Sequence, residues 1–230
     1  MSQNNQLPNK ENKREAVQTM FDSIAPRYDL LNRILTFRLD VRWRKKAIAS
    51  LNLNNKSTIL DLACGTGDFA QALKKKGHTV IGIDLSLGML KNSPHDLDLI
   101  QGDLLNLPIQ SESVDAAVCG YALRNLTDLK PFFEELHRTL KTQSRIALLD
   151  VSTPDNRFLK FGHNLYFNKI VPKIGGLISN KKAYSYLPAS VSYLPPRSEM
   201  LEMLRSAGFT DIEHKQLTGG ISQLITATRA

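Results

Sequence analysis

The sequence predicts an α/β protein built on a doubly wound, mostly parallel sheet of seven strands. Three observations carry this. Strand-like and helix-like patterns alternate from about residue 57 to residue 151, the order that a parallel sheet with helices on both faces requires. The apolar run Ile59-Leu60-Asp61-Leu62 enters a turn, Ala63-Cys64-Gly65-Thr66-Gly67, with a helical pattern behind it. Gly65 and Gly67 let the backbone approach a ligand where a Cβ would clash, and the turn lies at the carboxyl end of a strand, where open α/β sheets bind ligands. Finally, Asp61 comes just before the turn and Asp84 ends the second strand. A carboxylate at that second position can accept hydrogen bonds from both hydroxyls of a ribose.

Residues 1–10 are polar and are expected to be mobile. Residues 11–54 read as cap helices over the carboxyl edge of the sheet. Ala16, Val17, Met20, Phe21 and Ile24 recur at helical spacing, and Pro26 interrupts. A second helical stretch runs from Tyr28 to Leu51 with a break near Thr36-Phe37. The cofactor-binding core, residues 55–152, opens with strand one at about 57–62, and a helix at about 68–76 ends at Gly77. Strand two is at about 79–84, a short helix at about 86–92 stops before Pro94, and strand three is at about 97–101. Ser111-Glu112-Ser113 announces strand four, Val114 to Cys119. A helix over about 128–140 has Asp128 near its start and Lys141 at its end, as the helix dipole favours. Strand five is Arg145 to Val151.

Residues 153–197 break the rhythm. Phe158, Phe161, Leu165, Tyr166, Ile170 and Val171 predict a helix before Pro172, followed by a loop with Gly175-Gly176 and the segment Tyr184-x-Tyr186-Leu187. An insertion of this length reads as a lid or substrate wall. In residues 198–230 a helix from Ser198 to Ala207 is closed by Gly208. Strands at about 210–217 and 221–228 form a hairpin around Thr218-Gly219-Gly220. Residues 11–230 are thus expected to form a single domain.

A chain of 230 residues can bury a substantial core. No apolar run reaches the ~18 residues of a membrane span, and the polar N-terminus has no apolar signal region. Cys64 and Cys119 give no disulfide framework, which fits a reduced, cytoplasmic setting. The five histidines are scattered, so no metal site is read. Lys and Arg outnumber Asp and Glu by 30 to 22, a net charge of +8. Such a balance admits nucleic acid, an anionic membrane surface, or a merely solvated face. Arg38, Arg42, Arg44, Lys45 and Lys46 carry much of the excess; Trp43, among them, reads either as core or as a ring at a membrane–water interface.

The glycine turn leaves the class of nucleoside partly open. A dinucleotide fingerprint allows Ala70 at its third glycine position, whereas a phosphate-binding P-loop wants Gly-Lys-Ser/Thr and here Asp68-Phe69 follow Gly67. An acid so close to the turn suits a cationic, phosphate-free ligand better than a pyrophosphate. The acid-x-x-x-Gly-x-Gly pattern, with an acid ending strand two, resembles the Rossmann-like class I methyltransferases, which use S-adenosylmethionine. Further blocks resemble the quinone-biosynthesis C-methyltransferases that act on demethylmenaquinone and ubiquinone rings. These are Tyr28-Asp29-Leu30-Leu31-Asn32 with Arg38-x-x-x-Arg42-Trp43, then Leu123-Arg124-Asn125-Leu126-Thr127-Asp128, and Arg138-Thr139-Leu140-Lys141 followed by Leu149-Asp150-Val151-Ser152. Tyr184-x-Tyr186-Leu187, Ala207-Gly208-Phe209 and Leu217-Thr218-x-Gly220 continue the match. The chain departs from the family where Lys141-Thr142-Gln143-Ser144 replaces Lys-Pro-Gly-Gly, where Asp150 replaces a glutamate, and near Asp40, where a histidine is replaced.

The resemblance implies roles for individual residues. The backbone at Gly65, Thr66 and Gly67 would line the methionine part of S-adenosylmethionine, with Asp61 supplying negative potential. Asp84 would hold the ribose, Asp103 the adenine amine and Leu104 the adenine ring, and Gly120 would reach the cofactor. Arg124 and Asn125 would be the catalytic pair on the substrate side. Because a guanidinium stays protonated, Arg124 would stabilise a phenolate and not act as a base. Tyr28, Asp29 and Asn32 share a helix face and, with Tyr186, would close the pocket; packing of the cap helices is the competing reading.

The implied substrate is a membrane-borne prenylated quinol, demethylmenaquinol giving menaquinol. A ubiquinone precursor and 2-phytyl-1,4-naphthoquinol are the alternatives. Contact with the membrane surface follows from such a substrate, and a homodimer stays open. A nucleic-acid partner is not expected, since no RNA-binding module is recognisable; a nucleic-acid methyltransferase is the more distant alternative, and a non-catalytic scaffold subunit is disfavoured by the intact glycine turn.

Overall fold

Seven strands form one sheet in the order β3-β2-β1-β4-β5-β7-β6 in the computed structural model, which describes residue 8 and residues 10–54, 56–171, 173, 186 and 189–230. Strands β1 (Thr58–Leu62), β2 (Thr79–Asp84), β3 (Asp98–Gln101), β4 (Val114–Gly120) and β5 (Leu140–Val151) run parallel. β7 (Ser222–Arg229) pairs antiparallel with β5, and β6 (Phe209–Leu217) pairs antiparallel with β7. The doubly wound seven-stranded sheet expected from the sequence is therefore present. From β1 the chain winds outward through β2 and β3, and from β4 it winds the other way. The crevice at the carboxyl ends of β1 and β4 is thus the topological switch point, where such sheets bind ligands.

The central strands are covered on both faces, which is why β1 and β4 read as nearly continuous apolar runs. On one face, Phe132, Phe133 and Leu136 of α6 (Leu129–Thr139) and Met200 and Leu204 of α8 (Arg197–Ser206) pack on Leu60, Leu62 and Ala117. On the other, Trp43 and Ala47 of α3 (Leu39–Ser50) join Phe69 and Leu73 of α4 (Asp68–Lys74) against Ile59, Val118 and Leu149. Trp43 is therefore a core residue, 4% exposed, with Nε1 donating to Thr218 Oγ1 at 2.9 Å. The reading that placed its ring at a membrane interface is wrong.

A third apolar cluster joins α1 (Lys10–Ile24) and α2 (Tyr28–Leu35) to Met89 of α5 (Leu87–Lys91) and to Val171. The break expected near Thr36-Phe37 lies between α2 and α3, where Phe37 and Arg38 adopt φ of 51° and 60°. Asp128 caps α6 by accepting from the Lys130 N–H. Lys141, however, does not end that helix. Leu140 is completely buried and pairs with Val114, so the chain turns extended one residue earlier, and Lys141 reaches Asp115 at 2.7 Å from within β5. The basic residues of the last helical turn are His137 and Arg138.

After β5, α7 (Arg157–Leu165) is capped by Asn156 and widens into a π-helical turn over Tyr166–Ile170. Most of the expected N-terminal mobile segment, Pro172, Gly175-Gly176, Tyr184 and Leu187 lie outside the described residues.

Candidate active site

Two neighbouring cavities meet at the switch point. The first lies over the carboxyl ends of β1, β2 and β4. Its polar anchor is Asp84. Oδ2 accepts from the Gly65 N–H and Oδ1 from the Ser86 N–H, each at 2.8 Å, so the carboxylate ties the two loops together. Each oxygen retains a second lone pair, and Asp84 lines the cavity. Burial raises its pKa above the usual carboxylate range, against the lowering effect of the two N–H donors. Gly65, at φ +57°, has nothing within 4 Å of where a Cβ would stand, so its backbone is open to a ligand.

Leu104 and Gly120 also line the first cavity, as does Asp103, whose Oδ2 pairs with Arg14 Nε at 3.1 Å. A Cβ at Gly120 would come within 2.8 Å of Phe69, so packing as well as ligand access demands the glycine. Gly67 does not line this cavity. It starts α4 at φ +86°, and a Cβ there would meet Leu97 at 2.5 Å.

Asp61 lies deeper, 1% exposed, accepting from the Ala70 N–H at 2.9 Å, and burial pushes its pKa up to about 8. It borders a smaller recess with Thr66, Tyr28 and Arg44. Thr66 donates to Asp29 Oδ1 at 2.7 Å, which fastens α2 to the glycine turn. Burial raises the pKa of Asp29 despite that bond.

The second cavity is walled by Tyr28, Asn32, Leu35, Tyr121, Arg124 and Phe167, among others. Arg124 is 5% exposed. Its Nη1 donates to Asp150 Oδ1 at 2.5 Å and to the Tyr121 carbonyl at 2.8 Å, and Nε donates to Ser190 Oγ at 3.2 Å. Asp150 is fully buried, and its Oδ2 has no hydrogen-bond partner among the described residues.

Asn125, adjacent in sequence, faces the first cavity. It accepts from Tyr186 Oη at 3.2 Å and donates to the Tyr121 carbonyl at 3.3 Å. The expected catalytic pair is thus divided between two cavities. Tyr28 and Tyr121 border both. Burial raises the pKa of Tyr28 while its side-chain hydrogen bond with Asn32 lowers it, and burial pushes the Tyr121 hydroxyl well above its usual value.

Several contributors are missed by reasoning from the sequence. Val17, Gln18 and Phe21 of α1 line the first cavity, and Asp22 pins α1 there by accepting from Ser86 Oγ at 2.6 Å and the Gly88 N–H at 2.8 Å. The helical spacing of Val17 and Phe21 identified a buried face but not what it covers. Arg44 belongs to no exposed cluster. It pairs with Asp40 at 2.6 Å and Asp68 at 3.0 Å, and Arg33 bonds the same two carboxylates. Its guanidinium lies 5.5 Å and 5.8 Å from the ring centroids of Tyr121 and Phe69.

The first cavity fits a phosphate-free adenosine better than a dinucleotide. Asp84 and Asp103 present carboxylates, and among the described residues the one basic side chain in its wall, Arg14, is paired with Asp103. No unpaired cation among the described residues lines it to meet a pyrophosphate.

Comparison with known proteins agrees. The chain is 40% identical to the ubiquinone/menaquinone biosynthesis C-methyltransferase UbiE of Syntrophotalea carbinolica, over 92% of this chain and 93% of that protein. It is 39% identical to the demethylmenaquinone methyltransferase of Deinococcus radiodurans, over 93% and 92%. Among solved structures, a SAM-dependent methyltransferase of Thermotoga maritima, described as a possible histamine N-methyltransferase, superposes with a TM-score of 0.67 at 18% identity, covering 93% of this chain and 100% of that one. That likeness establishes the fold alone. The model of the ubiE/COQ5 methyltransferase family matches residues 8–229, and the chain belongs to that family.

Proposed function

We propose that this protein methylates a ring carbon of a prenylated quinol, converting demethylmenaquinol to menaquinol with S-adenosylmethionine as cofactor. The observation that carries this reading is the pair of cavities joined at Tyr28 and Tyr121. One is acidic, with the carboxylate of Asp84 placed for ribose hydroxyls; the other is largely apolar, with the buried guanidiniums of Arg44 and Arg124 and the carboxylate of Asp40 in its wall. The relatives named for menaquinone, or for ubiquinone and menaquinone together, support the same chemistry. A benzoquinol precursor of ubiquinone and a phytyl naphthoquinol are the alternative rings.

The cofactor supplies an electrophilic methyl group on a sulfonium to the ring carbon beside a quinol hydroxyl. The chain's own residues do the rest. Asp84 holds the ribose, Leu104 packs the adenine and Asp103 meets its amine. Asp61, below Gly65, would provide negative potential once a bound sulfonium, whose positive charge lowers the pKa that burial raises, holds it ionised. Arg124 holds negative charge on the quinol oxygen while Asp150 and the Tyr121 carbonyl fix its guanidinium. Tyr28, Asn32 and Tyr186 exclude water and close the pocket. Alignment and fixed charge are the main catalytic contributions available to such a site. The protein works at the membrane surface, reached through the exposed cations of α3, and a homodimer is compatible with this. Among the described residues no helix is long and apolar enough to cross a membrane.

The test is incubation with labelled S-adenosylmethionine and a panel of demethylated naphthoquinols and benzoquinols, read by mass spectrometry. Only the reduced ring carbon is nucleophilic, so turnover is expected with a reductant present and almost none with the oxidised quinone. Equal turnover on both would overturn the reading.

A further inference from the structure

The outer face of α7 is unusual for a helix beside a buried cavity. Phe158, Phe161 and Leu165, spaced i, i+3 and i+7, share one stripe and are 89%, 74% and 44% exposed. Phe37, 77% exposed at the end of α2, extends the same surface. Its ring stands 6.4 Å from that of Tyr166, whose hydroxyl donates to the Leu35 carbonyl at 2.7 Å. Contiguous exposure of large apolar side chains marks an interaction site.

Charge identifies the occupant. Residues 156–173 contain no acid, and Arg157, Lys160, Lys169 and Lys173 are exposed. On the adjoining α2 and α3 the two acids face inward: Asp29 accepts from Thr66, and Asp40 is paired with Arg33 and Arg44. Arg38, Arg42, Lys45 and Lys46 stay exposed. An apolar stripe whose charged rim among the described residues is cationic, save for Asp155 before α7, which pairs with Arg197, is the pattern of a helix lying in the interface of an anionic bilayer.

We infer that α7 and the end of α2 form a membrane-docking face, with Phe37, Phe158 and Phe161 inserted among acyl chains of anionic lipid, and that this face is the mouth of the second cavity. The helices that carry the stripe wall that cavity from inside, through Leu35 of α2 and Phe167 and Val171 of the continuation of α7. A lipid tail that leaves the cavity between them arrives at the inserted stripe. Only the tail's identity rests on the quinol reading; docking stands on the surface itself.

The experiment is co-sedimentation of the full chain with phosphatidylcholine vesicles, with and without phosphatidylglycerol. Strong binding is expected only with phosphatidylglycerol. The Phe158→Ser/Phe161→Ser variant, and separately Phe37→Ser, should bind at least tenfold more weakly with unchanged melting temperature. Phe158→Trp should keep binding, and its fluorescence should be quenched by brominated lipid, since the only native tryptophan is buried. Turnover on a short-tailed soluble quinol should be the same for all of them, and turnover on long-tailed quinol in vesicles should fall with binding. Undiminished vesicle binding by the serine variants would overturn the inference. So would a wild-type dimer that the same variants dissociate without any vesicle binding, which would assign the face to a second copy. Absence of turnover on every quinol, with docking intact, would overturn the proposed function and leave this surface standing.

Discussion

At the scale of single residues, the ion pair of Arg124 with Asp150 is the most informative feature. Both groups are buried, and Asp150 Oδ2 is already unpartnered. Arg124→Ala therefore acts twice. It removes a fixed positive charge from the substrate cavity, expected to lower kcat by about 10²–10³. It also leaves a carboxylate buried alone, expected to cost about 3–5 kcal/mol of stability. The double variant Arg124→Met/Asp150→Leu separates the two effects, because replacing a whole buried pair by apolar groups is often neutral. Thermal melts should recover while turnover stays low; recovery of both would make Arg124 a structural residue only. Arg124→Lys should restore part of the rate, a point charge replacing a planar fork.

Asp61 makes a second residue-scale prediction. Burial lifts its pKa from the ordinary value to about 8. Between the unfolded and folded values the native state binds the extra proton, so this residue's contribution to stability falls as pH rises from about 4 to about 8. Asp61→Asn removes that dependence. The melting temperature of the variant should gain on the wild type as pH is raised through this window, and a constant difference from pH 5 to 9 would refute it.

At the scale of elements, the irregular stretch of β5 between Leu140 and Arg145, where its register with β4 shifts, shows a strain that the sequence makes visible. Gln143 is exposed and sits at φ +65°, in the stretch where the family has two glycines. A non-glycine residue in the left-handed region costs about 1–2 kcal/mol, partly offset by the greater unfolded freedom of glycine, about 0.4–1 kcal/mol. Gln143→Gly should stabilise the protein by about 0.5–1 kcal/mol, checked by chemical denaturation, with activity unchanged.

Element order and the hairpin were legible because period and turn chemistry are local. Asp84 and Gly65 were legible because strand ends and glycine turns are short-range signals. Arg44 was not. Its partner Asp68 lies 24 residues away in another helix, so composition alone placed it with solvated cations. Lys141 was misread because the burial of Leu140, which ends α6, depends on its pairing with Val114 in a different strand. The division of Arg124 from Asn125 was hidden too, because a single 3-10 turn over Leu123–Asn125 sends adjacent side chains to opposite cavities.

At the scale of the whole molecule, the net charge of +8 is unevenly displayed. Arg38, Arg42, Lys45 and Lys46 are exposed on and beside α3, whereas Arg33 and Arg44 are tied to Asp40 and Asp68. Changing the four exposed cations to glutamine should weaken binding to anionic vesicles by up to about 1 kcal/mol per residue, measured by sedimentation. Turnover on a soluble quinol should survive. Equal losses on soluble and vesicle-borne substrate would give the cluster another role.

The partition of the site by Tyr28 and Tyr121 has a kinetic consequence. The nucleoside chamber is roofed by α1, and the other chamber is walled by α2 and the continuation of α7. Apart from Tyr28 and Tyr121 the two chambers are lined by different residues, so the order of arrival and departure is expected to be free. Steady-state turnover should follow a random sequential scheme, in which the methylated product competes directly with quinol. Mixed inhibition between those two would instead demand a compulsory order, with one chamber sealed until the other is filled.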